Sequence, residues 1–277
     1  MNETSIGALV AQALQGAEDD AVAWEAVRSL QALGTDDVFD AARLLLQSPE
    51  AKQRARGADI LGQLGSPNPS RALEARCADC LLERVASETD ETVLLSIGVS
   101  LGHLQDPRAP DAMAPHAKNP SSDARFGVVM ALLNHDSDLS VSTLIALARD
   151  PDDDVRNWAT FGLGTSLAMV DTPEVREVLR ERLSDSNSEI QGEAMTGLAS
   201  RRDPTALEPI RRELSAEAPR AFAVEAAGLL GDGSLLPLLN ALKTSSQPGY
   251  FDSMLDDAIA ALLASERESF STSGEGR

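Results

Sequence analysis

Two cysteines, three histidines and an aromatic share of 3% are all that this 277-residue chain holds of the side chains that most often carry chemistry. Cys77 and Cys80 form a single Cys-Ala-Asp-Cys, with no second ligand pair at metal spacing and no strand-to-helix setting for a redox thiol. They read as two small thiols near one helix face, mostly buried. His103, His116 and His135 show neither His-x-x-His nor His-Glu-x-x-His spacing and read as loop or surface residues. A Gly-x-Ser-x-Gly elbow, a phosphate-binding loop and a dinucleotide fingerprint are all missing. The many carboxylates do not by themselves make a general acid–base pair, because nothing sets two of them in a dry cleft. No catalytic residue, metal or cofactor is therefore assigned.

Long apolar runs are lacking too. No stretch approaches the roughly 18–20 apolar residues of a membrane span, and Met1-Asn2-Glu3-Thr4 has no basic region ahead of an apolar one. A cytoplasmic protein is expected, without membrane contact. Basic residues are scarce: 24 Lys and Arg stand against 44 Asp and Glu, a net charge of −20. Residues 1–138 and 139–277 share that excess equally, so it is not held in a tail. Such a surface repels nucleic acid and attracts a basic protein partner, although plain solubility also accounts for it.

What the chain has is repetition. Asp150 to Gly164 opens with acids and a proline, which suits a turn and a helix start, then sets Val155, Ala159 and Leu163 on one helical stripe. Gly162 and Gly164 permit either a close helix contact or a left-handed stop. The same columns return from Ser48, Glu88, Asn119, Asp185 and Glu217, at spacings of 31 to 40 residues. Weaker copies end at Gly34 and near Ala264. Second helices open at Thr35, at Asp171-Thr172-Pro173, at Asp203-Pro204 and at Asp232-Gly233, where a side-chain oxygen can cap the helix. Ser66-Pro67-Asn68-Pro69-Ser70 is an inter-helix loop that accounts for the longest spacing. The expected fold is an all-α solenoid of about eight helical-hairpin units over residues 1–268, right-handed and with a concave face, and residues 269–277 are expected to fray.

The columns Asp-Pro-x-x-x-Val-Arg-x-x-Ala-x-x-x-Leu-Gly resemble the HEAT-like repeat of phycobilin lyases and many bacterial scaffold proteins. Within residues 150–239, Val155-Arg156-Asn157-Trp158-Ala159, Glu193 to Leu198, Arg201-Arg202-Asp203 and Glu225 to Asp232 resemble a narrower set. These are lyase-like HEAT-repeat proteins encoded beside rearrangement-hotspot (Rhs) toxin genes in enterobacteria. That resemblance implies an immunity-type protein that binds and neutralises a toxin domain; the chain is expected to be non-enzymatic and monomeric. The alternatives are a phycobilin-lyase-like chaperone-lyase and a generic assembly scaffold.

Two columns are candidate contact lines. Arg54, Arg125 and Arg156 share one, and at this net charge they read as an internal ladder pairing with acids of neighbouring units. Exposed pairs of that kind contribute about 0–1 kcal/mol. Two residues further along, Arg56, Ser96, Gly127, Trp158, Glu193 and Glu225 form a second column. An aromatic beside carboxylates suits a basic partner. Arg56, Ser96, Asn157, Trp158, Glu193 and Glu225 are the expected partner-binding residues; the competing reading packs Trp158 between helices and leaves both glutamates as ordinary surface groups.

Overall fold

A computed structural model describes residues 3–17, 19–245 and 250–274. It is all-α, with no strand among the described residues, and divides into two compact units, Met1–Thr143 and Leu144–Arg277. Unit 1 holds α1 (Glu3–Ala13), α2 (Ala21–Leu33), α3 (Asp36–Leu46), α4 (Ala51–Gly62), α5 (Arg71–Val85), α6 (Glu91–Leu104), α7 (Ala109–Met113, continued by a 3-10 turn) and α8 (Ser122–Leu132). The boundary falls within α9 (Asp138–Leu147). Unit 2 holds α10 (Asp153–Phe161), α11 (Pro173–Arg182), α12 (Ser188–Ser200), α13 (Leu207–Leu214), α14 (Ala221–Leu230), α15 (Leu236–Ser245) and α16 (Tyr250–Gly274).

In unit 1 the helices α2, α4, α6 and α8 lie side by side as a first layer, while α3, α5 and α7 each pack on the first-layer helix that follows. Unit 2 repeats the plan with α10, α12, α14 and α16 in the first layer and α11, α13 and α15 in the second. The first-layer helices are the repeated stretches of the sequence, including the weak copies at α2 and α16. The last of them runs on to Gly274, through most of the segment expected to fray; residues 275–277 lie outside the described residues.

One local device starts five of these helices. The side-chain oxygen of the turn residue accepts the N–H two residues on: Ser48 from Glu50 at 3.1 Å, Glu88 from Asp90 at 3.0 Å, Asn119 from Ser121 at 2.9 Å, Asp150 from Asp152 at 2.9 Å and Asp185 from Asn187 at 3.0 Å. Short polar side chains favour such turns because they replace a backbone acceptor. Asp90, Asp152 and Asn187 then cap the helix by accepting first-turn N–H groups. Six residues after the turn residue a long donor closes the loop from the other side. Arg54, Arg125 and Arg156 donate to the carbonyls of Ser48, Asn119 and Asp150, and Gln191 does the same to Asp185.

The apolar stripe faces inward as the spacing requires. Val155, Ala159, Leu163, Val93, Ile97, Leu101, Ile190, Ala194 and Leu198 are all fully buried. Each large member of that set contributes roughly 1.5–3 kcal/mol of burial. Leu163 does not extend the α-helix: it lies in a π turn over Gly162–Ser166, where Leu167 N–H reaches back to the Gly162 carbonyl at 2.8 Å. Of the two roles open to Gly164 the structure selects close contact. A Cβ there would stand 2.9 Å from the Glu193 carbonyl and 3.3 Å from Gly197 Cα. In unit 1, α6 and α8 meet still closer, since a Cβ on Gly98 would lie 2.1 Å from the Gly127 carbonyl.

The arginine column is indeed internal for Arg54 and Arg156, but its pairs are buried rather than exposed. Arg54 holds Glu88 of the next repeat through Nε at 2.8 Å, and Arg156 holds Asp185 of the next through Nε at 2.8 Å. Glu88 is only 4% exposed and Asp185 9%. The small contribution of a solvated pair therefore does not apply to them; breaking a buried pair from one side costs about 3–5 kcal/mol.

Candidate partner-binding surface

Within each unit the expected contact residues share a helix face with further side chains. Lys52, Ala55, Arg56 and Asp59 of α4 take the same places in their repeat as Thr92, Leu95, Ser96 and Val99 of α6. That spacing, i, i+3, i+4 and i+7, is a single face of a helix, and it points away from the buried stripe. In unit 2 the matching places hold Asn157, Trp158 and Phe161 on α10, Glu193 on α12, Glu225 and Gly228 on α14, and Met254, Asp257 and Ala258 on α16. A sequence search that followed all four columns instead of one would have found Leu95, Val99, Phe126, Met254 and Asp257.

In unit 1 this face forms a groove of about 420 Å³ lined by Trp24, Arg56, Leu95, Ser96, Val99 and Phe126, among others. Arg56 and Ser96 are thus brought together, as expected. Arg56 is only 4% exposed. Its guanidinium lies 4.6 Å from the centre of the Trp24 ring, donates to the Ala13 carbonyl at 3.1 Å and meets Asp59 at 3.2 Å. Arg56 is therefore a wall of the groove, with its charge already matched.

In unit 2 the face is acidic. Trp158 is 37% exposed and meets Phe161 edge-on, with ring centres 5.4 Å apart. It stands outward on α10 rather than packed between helices. Asn157, just before it, has a buried Oδ1 with no hydrogen-bond partner among the described residues. Glu193 is half-buried on α12, and burial pushes its carboxyl above the ordinary carboxylate range. The Thr165 hydroxyl, 3.5 Å from Oε2, works against that rise, while the charges of Glu225 and Glu189 add to it. Glu193 and Glu225 thus sense each other from successive repeats, as one column should. Glu225 also lines a groove of about 280 Å³ with Leu229, Met254, Asp257 and Ala258. Among the described residues that line it, the groove has two carboxylates and no Lys, Arg or His.

Other chemistry-bearing groups are set differently. Burial pushes the Cys77 thiol up to about 12 and also raises Cys80, so neither is an activated nucleophile. Burial lowers all three histidines, and no cluster of three or more His, Cys, Asp or Glu able to hold a metal ion occurs among the described residues. No described helix is long and apolar enough to cross a membrane.

Comparison with known proteins bears on the fold. The profile of the HEAT repeats family matches residues 78–164 and 143–219, together just over half of the chain. Protein YibA of Escherichia coli K12 is 34% identical over 122 residues, 44% of this chain. The match spans 43% of YibA, less than half of that relative's length. The X-ray structure of YibA superposes with a TM-score of 0.74 at 24% identity, covering 95% of this chain and 93% of that one. The complex of CpcE and CpcF of phycocyanin lyase from a Nostoc species aligns with a TM-score of 0.50 at 17% identity, covering 95% and 96%. At these identities the structural likenesses establish the fold alone.

Proposed function

Because the chain belongs to the HEAT-repeat family, we propose that it is a non-catalytic protein-binding module whose first-layer face in unit 2 receives a basic protein domain. Stacked helical repeats present extended surfaces suited to such a role. The observation that carries the reading is the placement of Glu193 and Glu225 on successive first-layer helices, beside a groove with Asp257 and no cation among the described residues that line it. A lysine or arginine set between those carboxylates relieves their mutual repulsion, and the exposed Trp158 ring offers a face for a guanidinium.

The most specific form of this proposal is a cytoplasmic immunity-type inhibitor of a toxin domain. Its support is the resemblance of residues 150–239 to HEAT-repeat proteins encoded beside Rhs toxin genes. Co-expression with an Rhs toxin domain, taken from beside this gene if one is encoded there, is the direct test: survival supports neutralisation, and continued toxicity leaves the scaffold form alone. Trp158→Ala with Glu193→Lys in the same chain is expected to abolish rescue without loss of helical content. Undiminished rescue by that variant would remove the unit 2 face as the site.

A further inference from the structure

Two turns of unit 2 are fastened to each other by arginines. Arg201, at the end of α12, donates to the carbonyls of Leu167 and Val170 in the connection from α10 to α11. In return Arg176 of α11 holds Asp171 through two hydrogen bonds and donates to the Arg201 carbonyl at 2.8 Å. Two side chains on this braced edge face water. Met169 is 96% exposed. Arg202 is exposed with a φ of 49°, and its guanidinium has no hydrogen bond or ion pair among the described residues. At the same place after α2 and α14 stand Gly34 and Gly231, which adopt that left-handed backbone without strain. The acids of these turns and the next are engaged: Asp171 and Asp203 by Arg176 and Arg180, and Asp232 by the Ser234 N–H. Glu174, also exposed, lies in the first turn of α11, where it favours that helix's own N-terminus.

A counterpart for that pair of side chains lies on the same unit. The groove of about 280 Å³ between α14 and α16 is walled by Leu229, Met254, Ala258 and Ala261 and carries the Glu225 and Asp257 carboxylates, with no cation among the described residues that line it. An unbranched, adaptable methionine suits such a slot, and a guanidinium beside it can pair with either carboxylate. The groove of unit 1 is a poorer counterpart, because Lys52 and Arg56 line it together with Asp19 and Asp59. We propose that the groove of unit 2 receives the Met169–Arg202 edge of a second copy of this chain. Both features stand on every copy, so a two-fold pair makes the contact twice and closes. Two anchor side chains per contact give a weak and transient association, which departs from the monomer expected from the sequence. It also sets a copy's own arginine where the basic partner's cation is expected, so self-association competes with partner binding. The pairing itself does not depend on that partner.

Sedimentation equilibrium from about 10 μM to about 1 mM spans the range of such contacts. Salt at about 0.15 M screens the repulsion between two chains of net charge −20 beyond about 8 Å. Wild type should associate reversibly toward a dimer. Met169→Asp and Asp257→Arg should each weaken this at least tenfold with an unchanged helical circular dichroism spectrum. Arg202→Gly should do the same while raising the melting temperature, because glycine relieves the left-handed backbone; a merely structural arginine would not separate the two effects. Arg202→Glu with Asp257→Arg in one chain exchanges the charges and should recover at least threefold over Asp257→Arg alone. A wild type that stays monomeric at every concentration overturns the proposal, as does association indifferent to both Met169→Asp and Arg202→Gly. Loss with Leu95→Glu but not with Asp257→Arg overturns it too, since the groove of unit 1 would then be the seat. Trp158→Ala separates this proposal from the function above: it should leave self-association unchanged and weaken the basic partner.

Discussion

Arg54 and Glu88 are thirty-four residues apart and meet through two parallel hydrogen bonds, Nε to Oε2 at 2.8 Å and Nη2 to Oε1 at 3.1 Å. The same Glu88 Oε1 accepts the N–H groups of Thr89 and Asp90, which begin the next repeat's turn. One carboxylate therefore starts a helix and locks its repeat onto the one before. Asp185 does both with Arg156 and Asn187. Two functions on one side chain explain why an acid stands at that place in the repeat.

That arrangement makes stability acid-sensitive in a defined window. Burial by itself would raise Glu88, but hydrogen bonds from Arg54, the Asp90 N–H, Arg84 and the Thr89 N–H outweigh it and hold the carboxyl at about 2, against an ordinary 4.5. A depressed value means that its contribution is whole above pH 4.5 and fades as pH falls through 2. The amount at stake is on the order of 3 kcal/mol. Chemical denaturation of wild type between pH 7 and 2 should show this loss, and Glu88→Gln should be destabilised at pH 7 while converging on wild type near pH 2. A constant gap across that range would show that the carboxylate's charge is not what matters.

Arg201 is the second place where one side chain organises many backbone groups. It is 7% exposed and donates to the carbonyls of Leu163, Gly164, Leu167, Val170 and Gly197, at 2.7 to 3.2 Å. Most of these carbonyls lie at the end of the π turn and in the connection to α11, where a helix has no internal partners to offer. Arg201→Met should strand several of them, at about 1–3 kcal/mol for each one that water cannot reach. Hydrogen exchange should then rise across residues 163–170 well before it rises in α14. Arg201→Lys should rescue little, because an ammonium cannot span five acceptors in a plane.

Much of this was legible in the sequence, and the limit is physical. Val155, Ala159 and Leu163 declared the buried stripe because helix periodicity is a local property, and Thr172 and Asp203 declared their caps for the same reason. Arg54 and Arg156 were readable as internal because a net charge of −20 leaves a buried acid as their natural partner. That Arg56 would spend its charge on Trp24 and Asp59 was not readable, since it depends on where α1 and α2 place Ala13 and the ring. Following the single column of Arg56, Ser96, Trp158, Glu193 and Glu225 covers only part of each unit's surface, because a helix surface is several columns wide. The groove beside Phe126 and the one beside Met254 were therefore missed.

Glycine positions offer a test of packing without electrostatics. Gly98→Ala would place a methyl 2.1 Å from the Gly127 carbonyl, whereas Gly164→Ala would place one 2.9 Å from that of Glu193. Both force neighbouring backbones apart, at about 1–3 kcal/mol or more. Gly98→Ala should be the worse, because the blocking backbone stands at 2.1 Å there against 2.9 Å at Gly164. Thermal unfolding of the two variants ranks them, and equal melting temperatures would mean that α6 and α8 separate more easily than their contact suggests.

Glu193 joins stability to the proposed function. A carboxyl raised by burial and by Glu225 is penalised in the folded chain while it is charged, so the penalty is present above its raised value and disappears as pH falls through it. Glu193→Gln should therefore stabilise the free protein at pH 7, with the gain shrinking under acid. Partner binding should move the other way: the substitution removes a charged acceptor, whose contact with a cation contributes about 1.5–3 kcal/mol. The side chain that strains the unbound surface is then the one that rewards a basic partner, a trade expected where function and stability compete. Calorimetric unfolding and partner titration on the same variant decide it. If Glu193→Gln is less stable at pH 7, or binds as well as wild type, the carboxylate is an ordinary helix-surface group and the unit 2 face loses its central residue.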